Sequence, residues 1–310
     1  MNRHVVGLAA ALAIGFAVAV QARINGELGA RLNDGIAAAL ISFGVGLVLL
    51  CAGLSVSPRM RAGLRQVRAA LARTQLRPWH LSGGLFGAFL VACQGITVST
   101  IGVAEFTVAV VGGQILSSLL VDRAGIGPAG AEPLTVTRVV GAALGLGAVV
   151  LTSAGQLALD SGDLVLALLP ALAGMGLAWQ QAVNGRVATA GGPAVASWVN
   201  FSAGTIMLVC VFAIAGAVRG WPRQLPTQAW LYVGGVLGLV FIAIAAVVVR
   251  WIGVLLLGLA SVAGQLIGAV VLDIVTPVGH HLTWVPVAGV VVVLGGVVVA
   301  ALPAAVRRRA

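Results

Sequence analysis

The side chains in this chain that could do chemistry in apolar surroundings are few, and most come in pairs. Gln21 and Asn25 stand one helical turn apart, and Gln180 and Asn184 repeat them 159 residues later. A spacing of four puts both amides on one helix face, where they can hydrogen-bond a polar solute along a membrane path. The alternative is local: Asn-Gly favours a left-handed helix terminator, so Asn25-Gly26 and Asn184-Gly185 equally fit helix caps. Gln114 and Gln265 recur at an offset of 151 inside long apolar segments. A buried amide is costly without a partner, so each must bond across helices or face a cavity. Gln94 and Asn200 complete the set of amides that are candidates for lining a substrate path.

The candidate gating or coupling groups are carboxylates. Asp122 and Asp273 form a further pair at offset 151, each at the end of an expected helix. The helix dipole disfavours an acid there, so a basic side chain or a helix N-terminus is the expected partner. Glu105 has no acidic counterpart, since Leu256 holds the equivalent position, and it falls in the first turn of its helix, where the dipole favours it. No catalytic residues are assigned, and an enzyme is not expected. The chain has no His-Glu-x-x-His, Gly-x-Ser-x-Gly or phosphate-loop pattern. His280-His281 lack an acidic or cysteine companion, and Cys51, Cys93 and Cys210 lack metal-type spacing, so no metal or cofactor is expected. The three cysteines read as small buried side chains.

The elements that must position these groups follow from composition. Hydrophobic residues make up 60% of the 310 residues and charged ones 8%, with a mean hydropathy of +1.10, far from the range of a soluble domain. The apolar residues run in blocks long enough to cross a hydrocarbon core of about 30 Å as helices. Helices satisfy their own backbone in lipid. An all-α polytopic membrane protein is expected, with ten transmembrane helices at about 5–22, 36–54, 81–98, 103–121, 135–154, 164–183, 194–218, 230–249, 252–272 and 283–303. The first apolar run imitates a signal peptide, but its internal echo around 164–183 argues against cleavage.

The net charge of +10 comes wholly from 18 arginines placed in loops and at the ends, which excludes a soluble nucleic-acid-binding face. In loop 55–80, Arg59, Arg61, Arg65, Arg68, Arg73 and Arg77 alternate with Met60, Leu64, Val67 and Leu71. That spacing suits an amphipathic helix on an anionic membrane face, or an ordinary basic cytoplasmic loop. Arginine bias puts both termini in the cytoplasm: the side bearing Arg3, the six of this loop, Arg123, Arg138, Arg186, Arg250 and Arg307 to Arg309 holds most of the charge.

The pairs belong to one long echo. Gln21 to Gly26 returns as Gln180 to Gly185, Ser42-Phe43 with Gly46 as Asn200-Phe201 with Gly204, and Gly83-Gly84 with Gly87 as Gly234-Gly235 with Gly238. Offsets shift only at expected loops or short connections, as in homologous repeats. Four units result: a first five-helix repeat at 4–154, a linker at 155–163, a second repeat at 164–303 and a basic tail at 304–310. An odd number of helices per repeat inverts the second, the usual plan of alternating-access transporters.

With these residues in place the chain resembles the YdcZ-like branch of the drug/metabolite transporter superfamily, in its fused ten-helix form. The resemblance rests on Gln21 to Gly26, Ser42-Phe43, Gly113-Gln114 with Ser117-Ser118 and Asp122, and their second-half counterparts. It implies a bacterial inner-membrane exporter, and it supplies no substrate. The expected partners are a small organic solute and the lipid bilayer, with a homodimer permitted and nucleic acid excluded. The alternative is a structural or regulatory membrane protein that moves no solute.

Overall fold

The computed structural model describes residues 3–153, 163–220, 224–275 and 284–302, so His280-His281, residues 155–162 of the expected linker and the tail lie outside the described residues. The described residues are helical, with no strand among them. The helices are α1 (Arg3–Leu32), α2 (Gly35–Val56), α3 (Pro58–Ala72), α4 (Gly83–Arg123), α5 (Val136–Ser153), α6 (Asp163–Gly191), α7 (Pro193–Arg219), α8 (Gly234–Val275) and α9 (Trp284–Ala301). Short 3-10 turns at Pro78–Leu81 and Ala229–Tyr232 precede α4 and α8 at the repeat offset. Four of the described helices are long and apolar enough to cross a membrane by length and composition.

Two expected boundaries are corrected. Helix α1 runs on through Gln21 to Gly26, and α6 through Gln180 to Gly185, so neither Asn-Gly pair caps a helix. The asparagine and glycine penalties are below or near 1 kcal/mol per residue, and tertiary packing of the motif outweighs them. The left-handed terminators lie further on, at Asn33 (φ 49°) and Gly192 (φ 87°), again 159 residues apart. Asp34 then caps α2, accepting from the amides of Ile36 (2.9 Å) and Ala37 (3.1 Å).

The second correction concerns the reversals. Residues 97–102 within Gly83–Arg123 are helical where a turn is expected, whereas Gly234–Val275 keeps the expected division into two helices, moved from Arg250-Trp251 to Gly253. The packing nevertheless turns back within each. Along α8, Gly234 and Gly238 face Asn25 and Gln21, Ile252 meets Gly7, and Gly264 and Gly268 return to Leu12 and Phe16. The turn occurs at Gly253, whose φ of 75° and ψ of 176° break the helix at a single residue, so no loop is needed. Helix α4 repeats the pattern on α6: Gly83 and Gly87 face Asn184 and Gln180, Cys93 reaches Leu169, Gly113 returns to Ala171, and Gly127 in the loop after α4 lies beside Ala182.

Each repeat therefore wraps the first helix of the other: α8 folds around α1, and α4 around α6. At Gly15, Gly113, Gly174 and Gly264 an added methyl would overlap a backbone carbonyl of the facing helix, so these contacts run backbone against backbone. The start of α1 and the end of α6 meet the same stretch of α8, with Gly7 on Ile252 and Gly185 on Val249. That placement requires α1 and α6 to run in opposite directions. Phe43 and Phe201, equivalent at offset 158, stack 5.1 Å apart where the two repeats meet. Each ring fills the space left by the other repeat's glycine, Phe201 on Gly46 and Phe43 on Gly204.

Helix α3 has no described counterpart in the second repeat. It is amphipathic as expected, but its apolar face packs on protein, with Val67, Ala70 and Gly63 buried against Val187, Gly191 and Val195. Of the cysteines, only Cys93 is buried; Cys51 and Cys210 lie on the outer surface. The membrane-like surface explains the difference, since Val48, Leu49, Ile206 and Val209 beside them are equally exposed.

Candidate functional site

The paired amides converge on the glycine-rich starts of α4 and α8. In the second repeat, Gln180 and Asn184 on α6 both donate to Oδ1 of Asn200 on α7, at 2.8 and 2.9 Å. All three residues are buried, and Asn200 is wholly so. The glycines make this possible: a methyl on Gly84 would overlap the Asn200 carbonyl oxygen, and one on Gly83 the Asn184 side chain. Small residues bring the backbones together, and amides bond in the space between. Asn200 Nδ2 has no hydrogen-bond partner, so a buried donor is left unspent.

The first repeat builds the same site differently. Gln21 Nε2 donates to the carbonyl oxygen of Gly234 at 2.7 Å, while Asn25 Oδ1 lies buried without a partner. Ser42, buried, replaces Asn200 and lies beside Gly234. A hydroxyl is too short to gather two amides as Asn200 does. Ser42 is not among the expected path residues, although the echo of Ser42-Phe43 in Asn200-Phe201 marks it. The two clusters flank the Phe43–Phe201 stack: Gly87 touches both Phe43 and Gln180, and Gly238 both Phe201 and Gln21.

Gln114 and Gln265 are not equivalent. Gln114 is buried and turned toward Gly258 of α8. Gln265 is half-buried, and its backbone packs on Gly15 of α1. Ser117 and Ser118 beside Gln114 bond to the carbonyls of Met175 (3.0 Å) and Gln114 (2.6 Å). Gln94, Glu105 and Asp273 fall on α4 and α8, with side chains outside the described residues.

Asp122 obtains both partners the helix dipole demands. Its carboxylate accepts from Arg138 at 2.5 Å and from the backbone amides of Val254 (2.9 Å) and Leu255 (3.0 Å). Those amides open the second arm of α8, immediately after the Gly253 kink, so an acid ends one helix and caps another. Asp122 and Arg138 are both buried, and Glu132 stands 3.6 Å from the same guanidinium. Arg186 of α6 holds the adjoining loop through the carbonyls of Gly125 (2.6 Å) and Ile126 (2.8 Å). In the sequence Arg138 and Arg186 stand out only as topology signals, although the need for a base beside Asp122 points to Arg138.

Trp179, beside Gln180, is occupied by protein. Its indole donates to Ser82 (3.1 Å) and packs on Trp79 and Phe86. His80 is buried under Trp79 and accepts from the Arg77 amide at 2.8 Å. Burial, with Arg186 and Arg77 nearby, pushes its pKa below the usual histidine value.

Among described residues no group of acids, histidines and cysteines able to hold a metal is present. The arrangement is one of buried neutral amides, one ion-paired carboxylate and closely packed glycines.

Comparison with known proteins agrees with this architecture. A solved structure titled only "Crystal structure of protein" superposes with a TM-score of 0.66 at 19% identity, covering 98% of this chain and 99% of that one. At that identity it supports the fold alone. No curated protein matches. A family model described as "Putative inner membrane exporter, YdcZ" matches residues 6–151 and again 165–299, once for each repeat. Matched twice over most of its length, the chain belongs to the YdcZ family of inner membrane exporters and is a multi-pass inner membrane protein.

Proposed function

We propose that this protein is a secondary exporter that moves small organic solutes by alternating access between two inverted five-helix repeats, 4–154 and 164–303. Helix α3 lies outside the span count in this reading. The remaining eight helices give ten spans, because α4 and α8 each cross twice. Both termini are then cytoplasmic, in keeping with the arginine bias.

The observation that carries the reading is that equivalent amides are paired differently in the two repeats. Gln180 and Asn184 are gathered by Asn200, whereas Gln21 bonds a backbone carbonyl and Asn25 keeps a free acceptor. Inverted repeats that exchange conformations open a central site first to one face and then to the other. A repeat with closed amides beside one with open amides fits one state of such a cycle. Gln21, Asn25, Gln180, Asn184 and Asn200 then line the path, with Gln94, Gln114 and Gln265 further along it. Asp122 acts as a gate, because it fastens the α8 kink to α4 and α5. Asp273 holds the equivalent position for the other face, and Glu105 is the candidate coupling acid.

The test is transport by the purified protein in proteoliposomes, against a panel of neutral, zwitterionic and cationic metabolites, with and without a proton gradient. At least one solute should move, and Gln180→Leu should cut its initial rate at least tenfold while leaving the amount of folded protein unchanged. Absence of transport or binding across the panel would remove the reading for those solutes. Equal loss of rate and of folded protein would make Gln180 purely structural.

A further inference from the structure

Helix α3 and the turn that follows it present a basic face that neither the transport path nor the core uses. Arg59, Arg61, Arg65, Arg68, Arg73 and Arg77 are all exposed, and no described carboxylate forms an ion pair with them. Arg61, Arg65 and Arg68 follow one stripe of the helix. The opposite face is fixed in the protein through Val67, Ala70 and Gly63, so α3 cannot insert its apolar side into lipid. Ser57 caps its start, donating no freedom to the first turn: its hydroxyl accepts from the Met60 amide at 3.3 Å. The helix is therefore a rigid carrier of positive charge.

Its surroundings place that charge beside exposed apolar side chains. Arg61 donates to the carbonyls of Leu54 and Ser55 and so covers the end of α2, whose outer surface shows Val48, Leu49 and Val56. At the other end Arg77 adjoins the exposed Trp79, and α4 then begins with exposed Leu85. Apolar belts topped by arginine and tryptophan are the pattern of a membrane boundary. We propose that α3 is a fixed headgroup-binding platform, which collects anionic phospholipids of the adjoining leaflet around this edge of the protein. Guanidinium groups bond phosphate oxygens in forked geometry. Each arginine near an anionic surface favours binding by about fivefold.

The test uses the full-length protein in phosphatidylcholine vesicles, with a donor dye on Gln66→Cys after Cys51, Cys93 and Cys210 are replaced by alanine. Energy transfer is measured to trace headgroup-labelled phosphatidylglycerol or phosphatidylcholine. The platform predicts several-fold greater transfer to phosphatidylglycerol, declining with salt. The combined variant Arg65→Gln, Arg68→Gln and Arg73→Gln should abolish the preference, and the matching lysine variant should keep most of it. Equal transfer to both lipids in the unsubstituted protein would overturn the proposal, as would a preference that survives the glutamine variant. Selective loss on adding inorganic phosphate, beyond that caused by chloride at equal ionic strength, would also overturn it, because it would indicate a discrete site for a soluble anion. The lysine variant keeps the charge on a similar stem, so its loss of preference would count against a charge-based platform even if the glutamine variant failed to fold.

Discussion

The two repeats share a backbone and differ in what they do with it. Gly84 of the first repeat and Gly235 of the second both press on a carbonyl of the other repeat's second helix, at Asn200 and Ser42 respectively. The side chains at those positions then diverge. Asn200 gathers Gln180 and Asn184, whereas Ser42 leaves Oδ1 of Asn25 without a partner. Glycine packing is thus the symmetric part of the molecule and amide pairing the asymmetric part. Function by exchange of conformations needs both, a common scaffold and two unequal states of it.

The largest effect should come from breaking the symmetric part. Gly84→Leu and Gly235→Leu each force side-chain volume into a backbone contact, so both should abolish monodisperse folded protein in size-exclusion chromatography. Loss from one and tolerance of the other would mean that the cross-repeat contacts are not equivalent. Next is Asp122→Ala, which strands the buried Arg138 charge and uncaps the second arm of α8. Removing one partner of a buried pair costs about 3–5 kcal/mol, so a large fall in melting temperature in detergent is expected.

A smaller effect sharpens the asymmetric part. Asn200→Leu leaves two buried amides unpaired and should cost about 1–3 kcal/mol. Asn25→Leu removes an acceptor that has no partner and should be neutral or stabilising, so thermal unfolding should separate the two variants. Equal destabilisation would contradict the unequal pairing. The smallest effect is on pH dependence. His80 has Leu231 as its counterpart, so this sensitivity belongs to the first repeat alone. Its folded-state pKa lies below the unfolded value of 6.5, chiefly through burial. The unfolded chain therefore takes up the proton first, and stability is lost as pH falls below 6.5 toward the folded pKa. His80→Leu should flatten that decline without loss at neutral pH.

Much of this was legible in the sequence. The order of polar residues revealed the repeat, and the same offsets now relate the 3-10 turns, the Phe43–Phe201 stack and the left-handed residues Asn33 and Gly192. Asp122's need for a base and a helix N-terminus followed from the dipole alone. Helix ends were harder to read, because a propensity penalty near 1 kcal/mol at Asn25-Gly26 is decided by contacts with residues two hundred positions away. The reversal near residue 250 was legible from the length of the apolar run, and only its exact place was not, because one glycine, Gly253, does the work usually given to a loop. Amide pairing was not legible either, since Gln21 bonds the backbone of Gly234, which has no side chain to advertise it.

The opposite orientation of the repeats is the claim on which the rest depends. It can be tested at Ala30 and Thr189, exposed residues 159 positions apart on α1 and α6. Each is replaced singly by cysteine in a background with Cys51, Cys93 and Cys210 changed to alanine, then treated with an impermeant maleimide in intact cells and in inverted vesicles. The inverted arrangement predicts labelling of Ala30→Cys in intact cells and of Thr189→Cys in inverted vesicles. Labelling of both from the same face would contradict it.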